Sequence, residues 1–269
     1  MNKLNYTLKG KVSLVTGAAG YLGSTISATL VNLGSDIVLV DVNKAKLNKV
    51  GINLKKISKQ NIDIISCNLT SSSSIEKVVK LIQKKYGKLD VLVNSIGMVG
   101  TDKMKGWNTS FNKQSKKSWD NAININLTSV FFLIQALYKL MKKAKDSSII
   151  NISSIYGTNA PDQKIYKNTN INNPAAYSVS KAGLTYMTKW LASSLAPNIR
   201  VNTISPGGIK RNQSKVFMKQ YISKTLLNRM ATEEDIVGAI IFLATNMSSY
   251  VTGQNIIIDG GWTVKGLVK

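Results

Sequence analysis

Seven short runs of apolar, largely β-branched residues recur along the chain: Val12–Thr16, Asp36–Asp41, Ile62–Cys67, Leu89–Asn94, Ser148–Ser153, Ile199–Ile204 and Asn255–Ile258. They are apolar throughout rather than alternating, which is the pattern of strands buried on both faces. Helical stripes lie between them. Leu22, Ile26, Leu30 and Leu33 share one face, as do Ile123, Leu127, Val130, Ile134, Leu137 and Met141, and again Leu184, Met187, Leu191 and Leu195. Thr232, followed by Glu233, Glu234 and Asp235, predicts one more helix start, with a cap and acidic groups at the positive end of the dipole. Strands alternating with helices predict an α/β chain built on a doubly wound parallel sheet of about seven strands, with helices on both faces. No repeat or linker interrupts the pattern, so residues 1–269 are expected to form one domain. Three polar, irregular stretches at 99–117, 157–173 and 208–228 follow the C-terminal ends of strands. Open α/β sheets bind ligands there, so these stretches read as substrate walls or lids.

Composition narrows the chemistry. There is no histidine, which excludes Ser-His-Asp and Cys-His catalysis and any histidine-ligated metal; no metal site is expected. The single cysteine, Cys67, cannot form an internal disulfide and reads as a small core residue. The formal net charge of +23 raises nucleic acid as a partner. Yet only Arg200, Arg211 and Arg229 among the 36 basic residues are arginines, and the lysines are scattered. Phosphate readers favour the bidentate arginine fork, so a solvated lysine surface is expected rather than a nucleic-acid or membrane partner. The start MNKLNYTLKGK lacks the apolar segment of a secretory signal, and no apolar run reads as long enough to cross a bilayer. A cytoplasmic location is the expectation.

The stretch VTGAAGYLG, Val15–Gly23, reads as a strand entering a tight turn and opening a helix. Gly17, Gly20 and Gly23 give the spacing TGxxGxxG; the alternative spacing TGxxxGxG would place a glycine where Tyr21 stands. Such a turn presents backbone N–H groups and a helix N-terminus to a pyrophosphate. Asp41 ends the second strand, 24 residues after Gly17, where a carboxylate accepts from ribose hydroxyls and repels a 2′-phosphate. NAD is therefore expected over NADP. A cap for the following helix is the other reading of Asp41.

Within NNPAAYSVSKAG, Asn173 as cap and Pro174 at the first position predict a helix that carries Tyr177 and Lys181 on one face. A phenol acting as acid/base near neutrality needs its ionisation lowered by about 4 kcal/mol, and an adjacent ammonium stabilises the phenolate. The spacing alone is not decisive, because Tyr138 and Lys142 repeat it; that pair reads as surface and packing. The difference lies upstream, where a strand ends in Ser153–Ser154, a second ends in NSIG (Asn94, Ser95 and Gly97), and a third ends in the SPGG turn with Pro206 and Gly207. Asn126 falls on the apolar face of a helix, where a buried amide either patches a kink or holds a water relay near Lys181.

With these motifs the chain resembles the short-chain dehydrogenase/reductase family over essentially its whole length. The resemblance implies a Rossmann-type fold and an oxidoreductase. Tyr177 looks like the acid/base, Lys181 its ribose-binding partner, Ser154 the substrate-polarising hydroxyl and Asn126 the fourth member of the set. Gly17, Gly20, Tyr21, Leu22, Gly23 and Asp41 would line the cofactor crevice at its first turn. Asn68 and Leu69 would do so after the third strand, Asn94, Ser95 and Gly97 after the fourth, and Pro206, Gly207 and Ile209 after the sixth. Asn68 stands where the family usually has an adenine-contacting aspartate. The glycine spacing is that of the extended branch of sugar-nucleotide epimerases and dehydratases, whereas the catalytic half looks like the compact branch.

The long segment between Ser154 and Tyr177 is similar to a subgroup associated with flagellin modification and surface-sugar biosynthesis. This implies a polar, sugar-like small-molecule substrate and a homo-oligomer, tetramer or dimer, packed through helices at Lys116–Lys143 and Pro174–Leu195. The alternatives are an epimerase or dehydratase that retains NAD, a 3-oxoacyl-type reductase, and a non-catalytic nucleotide- or nucleic-acid-binding protein.

Overall fold

The computed structural model describes residues 6–99, 104–169 and 171–264. Parts of two expected loops, 100–103 and Asn170, and the first five residues lie outside the described set. All seven expected strands are present: β1 (Val12–Thr16), β2 (Asp36–Asp41), β3 (Ile62–Ser66), β4 (Val91–Asn94), β5 (Ser147–Ile152), β6 (Ile199–Pro206) and β7 (Asn255–Ile258). They form one parallel sheet in the order β3-β2-β1-β4-β5-β6-β7. The order reverses between β1 and β4, and that reversal opens the crevice where such sheets take ligands.

Side-chain alternation along each strand feeds two cores. Leu14, Val38, Val40, Leu92, Ile149 and Val201 lie in one, with α3 (Ser72–Lys85), α5 (Ser129–Lys142) and α6 (Ala175–Leu195). Val15, Ile37, Leu39, Val93, Ile150 and Ile204 lie in the other, with α1 (Tyr21–Asn32), α2 (Lys44–Ile57) and α8 (Glu234–Ala244). The central strands β1, β2, β4, β5 and β6 are covered on both sides, which is why their sequences show no polar alternation, while the edge strands β3 and β7 are partly open.

Three helix details differ from the sequence reading. The long helix divides into α4 (Lys116–Ile123), a π-turn at Asn124–Thr128 and α5, with the Ser129 N–H reaching back to the Asn124 carbonyl. Joined through that turn, Lys116–Lys142 is, by length and composition, long and apolar enough to cross a membrane, contrary to expectation. Its apolar residues Val130, Leu133, Ile134, Leu137, Leu140 and Met141 are spent on the sheet core. Helix α6 starts after Pro174, whose ψ of 131° makes it the cap residue; Asn173 does not cap. Its Oδ1 accepts from Ser178 Oγ at 2.9 Å, and the Ala175 N–H is satisfied by Gln114 Oε1 at 3.0 Å. Helix α8 likewise begins two residues after Thr232, whose N–H and hydroxyl donate to Asp235 at 2.7 and 3.3 Å. The stretch 208–228, expected to be irregular, contains α7 (Lys215–Ile222), capped by Ser214 and holding Phe217 and Tyr221 inward.

The bottom of the sheet is pinned by Asp90. Its carboxylate, 2% exposed, accepts the Val12 N–H at 2.9 Å and meets Lys11 and Lys88 at 3.1 and 3.0 Å. Asp90→Ala leaves a buried N–H without an acceptor and is expected to cost about 2 kcal/mol, read as a lower midpoint in urea unfolding.

Candidate active site

The glycine turn packs against the end of β4. Gly17 has φ +67°, and a Cβ on it would lie 2.7 Å from the Ser95 carbonyl oxygen. A Cβ on Gly23 would fall on the Gly17 carbonyl, so the turn and the first coil of α1 close on each other only as glycines. Tyr21 opens α1 directly after the cap residue Gly20, and its ring is 69% exposed. Leu22 lies partly buried on the α1 side of the sheet. Asp41 ties the glycine turn to the start of α2, whose cap residue is Asn43. Its carboxylate accepts the Asn43 N–H at 2.8 Å before α2, and its other oxygen accepts the Ala19 N–H of the glycine turn at 3.1 Å.

Around the crevice the other expected residues fall at strand ends. Asn68 Oδ1 is taken by the Thr70 N–H and hydroxyl at 3.1 and 3.0 Å. The Leu69 side chain is buried in the core, so only its backbone can reach a ligand. Asn94 Nδ2 donates to Asn151 Oδ1 at 2.8 Å, while Asn94 Oδ1 is buried without a partner among the described residues. Pro206 ends β6, the Gly207 N–H donates to Ile258 O at 2.8 Å, and Ile209 bridges to Ala231.

Ser154, Tyr177, Lys181 and Asn126 converge. Ser153 Oγ turns away, bonding Lys181 O and Thr185 Oγ1, each at 2.9 Å. Ser154 is the serine that bonds the Tyr177 phenol. Lys181 is 4% exposed, and its ammonium donates to the Ile152 carbonyl at 2.8 Å, 5.9 Å from the centre of the Tyr177 ring. Gly97 lies over it: a Cβ there would stand 3.4 Å from Lys181 Nζ and 3.6 Å from Asn126 Oδ1. Asn126, in the π-turn, accepts the Met98 N–H at 2.6 Å and donates to Met98 O and Ser180 Oγ at 3.2 and 2.9 Å. Both its N–H bonds are used, so the side chain clamps the loop after β4 to α6.

The electrostatics also correct one expectation. Burial raises the Tyr177 phenol above its ordinary value, the bond from Ser154 pulls it down, and the nearby Tyr166 raises it again. The Lys181 ammonium, engaged by a carbonyl, is not among the causes. Burial lowers Lys181 itself to about 8.

Sequence reasoning missed the aromatic wall of this chamber. Tyr166 donates to the Tyr156 hydroxyl at 2.9 Å, and burial holds Tyr156 far above the usual phenol range. Tyr221 stacks on Trp262, and Tyr156 meets Trp262 edge-on. The only signal was an aromatic in each of three polar segments. Trp107, 1% exposed, anchors the first loop beside Ala176 and Tyr177, donating to Val99 O at 2.8 Å.

A family model described as enoyl-(acyl carrier protein) reductase matches residues 17–263. The chain belongs to the short-chain dehydrogenase/reductase family and is an NAD(P)-dependent oxidoreductase. It is 33% identical over 256 residues to post-translational flagellin modification protein A of Campylobacter coli, covering 95% of this chain and 99% of that one. It is 34% identical over 262 residues to a 3-oxoacyl-[acyl-carrier-protein] reductase of Thermotoga maritima, covering 96% and 99%. A short-chain dehydrogenase of Leptospira borgpetersenii, solved with bound NAD+, superposes with a TM-score of 0.82 at 32% identity, covering 95% and 94%.

The buried ammonium has a consequence for stability. Below pH 8 Lys181 is charged in both folded and unfolded chains, and the burial penalty is fully present. Above it the folded protein releases the proton first, so the penalty is relieved between about 8 and the ordinary 10.5. Wild type is expected to gain stability relative to Lys181→Met across that window in denaturant titrations; a flat difference removes the buried charge from the account.

Proposed function

We propose that the protein transfers a hydride between NAD(H) and a secondary alcohol or carbonyl on a polar, sugar-like substrate. The observation that carries the chemistry is the Ser154–Tyr177 hydrogen bond, set above the buried Lys181 at the open end of the sheet. The glycine turn, Asp41 and the strand-end residues Asn94 to Gly97 fit a dinucleotide, since Gly17 and Gly23 admit no side chain there. When bound, NAD(H) supplies or accepts the hydride. Ser154 holds the substrate oxygen, and Tyr177 gives or takes its proton. Lys181 favours the phenolate once the substrate oxygen draws the proton, and Asn126 positions the loop after β4 above Lys181. Asp41 favours NAD over NADP, and the Leptospira relative with bound NAD+ supports that preference.

The sugar-like substrate rests on the paired hydroxyls of Tyr156 and Tyr166 beside Tyr177, and on the flagellin-modification relative. The reductase relative keeps a 3-oxoacyl thioester as the competing substrate. A panel of sugars, sugar phosphates, nucleotide sugars and acyl thioesters, followed by NADH absorbance, separates them. Turnover of the thioester alone rejects the sugar reading. A cytoplasmic location goes with this reading.

Self-association is proposed through α4, α5 and α6, which expose Trp119, Phe132, Tyr186 and Trp190. Phe131 meets Phe132 edge-on and Trp190 at a tilt, so these rings already form a patch. Phe132→Glu with Trp190→Glu is expected to reduce a tetramer or dimer to a smaller species in sedimentation. Tyr177→Phe is expected to retain NADH binding and lose at least a hundredfold in turnover; full activity rejects the mechanism. Asp41→Ala is expected to erase most of the difference between NADH and NADPH dissociation constants.

A further inference from the structure

Arg211 lies on a short arm between β6 and α7. The arm is built from both sides. Ile209 bridges to Ala231, and the Lys210 N–H donates to Ala231 O at 2.8 Å. Gln213 closes it, accepting the Arg211 N–H at 2.5 Å and donating to Ile209 O at 2.9 Å. This arm sends the guanidinium back to the opposite wall of the crevice. Its central carbon stands 4.6 Å from the centre of the Tyr21 ring, and Nη2 meets Glu233 at 2.5 Å. The other two arginines are spent elsewhere: Arg200 on Ser248 and the carbonyls of Leu243 and Thr245, and Arg229 on Asp235.

Tyr21 is the first residue of α1, so its ring holds a cation beside the positive end of that helix. Two positive features converge on one place, with a single carboxylate to offset them. An anion there is met from both sides, by the first backbone N–H groups of α1, which no side chain caps, and by the guanidinium fork. The glycine spacing also gains a reason. A glycine at position 21 would give Arg211 no ring to rest on.

We propose that Arg211 is a ligand of the cofactor's pyrophosphate, carried to it by the Tyr21 ring and released to it by Glu233. The proposal rests on a dinucleotide occupying the crevice and not on the identity of the substrate.

Titrations with NADH, ADP-ribose and adenosine, read by protein fluorescence, test it. In wild type, ADP-ribose binding is expected to weaken with salt. Arg211→Gln is expected to weaken NADH and ADP-ribose about tenfold or more, to flatten the salt dependence, and to leave adenosine unchanged. Tyr21→Ala is expected to give a smaller loss with the same ligand pattern. Glu233→Gln, which frees the guanidinium, is expected to tighten ADP-ribose. An ADP-ribose constant for Arg211→Gln within twofold of wild type overturns the assignment, and so does an equal loss for adenosine. Failure of wild type itself to bind ADP-ribose would instead remove the dinucleotide reading on which the assignment stands.

Discussion

One buried ammonium organises the catalytic half of this protein. Among the described residues Lys181 has a single carbonyl partner, from the end of β5, and no carboxylate partner, and burial alone lowers its ionisation to about 8. Unpaired buried charge is costly, so the surroundings must hold it in place. They do so from three directions. Helix α6 carries it, Ser153 ties the adjoining carbonyl of Lys181 to the strand end, and Gly97 lies against the ammonium under the grip of Asn126 on Met98. The π-turn belongs to the same arrangement, since it is the element that presents Asn126 to both Met98 and α6.

The glycine turn shows the opposite economy. It holds position by lacking side chains, and Gly17 and Gly23 allow backbone to meet backbone at distances no Cβ tolerates. Asp41 fastens the turn to β2 through the Ala19 N–H.

Strands were legible because burial on both faces leaves an unbroken apolar run; three of the seven match the expected bounds at both ends, and the other four differ by no more than two residues at an end. The site was legible only by combination. Tyr138 and Lys142 stand 5.9 Å apart, ring centre to ammonium, as do Tyr177 and Lys181. Spacing along a helix fixes that geometry, and only Ser154 at a distant strand end distinguishes the pairs. The start of α6 was misread because its N–H partner, Gln114, comes from another loop. Arg211 was invisible for a similar reason, as its partners Tyr21 and Glu233 are remote in the chain, and the tyrosine pair because an irregular segment gives its members no regular spacing.

The aromatic wall has its own hydrophobic core. Ile155, Ile165, Tyr166, Phe217, Tyr221, Met230 and Trp262 form a cluster apart from the two cores that cover the sheet. The segment after β5, helix α7 and the C-terminal turn therefore meet in a small core of their own, so the wall beside Tyr177 can be reshaped without touching the residues that do the chemistry.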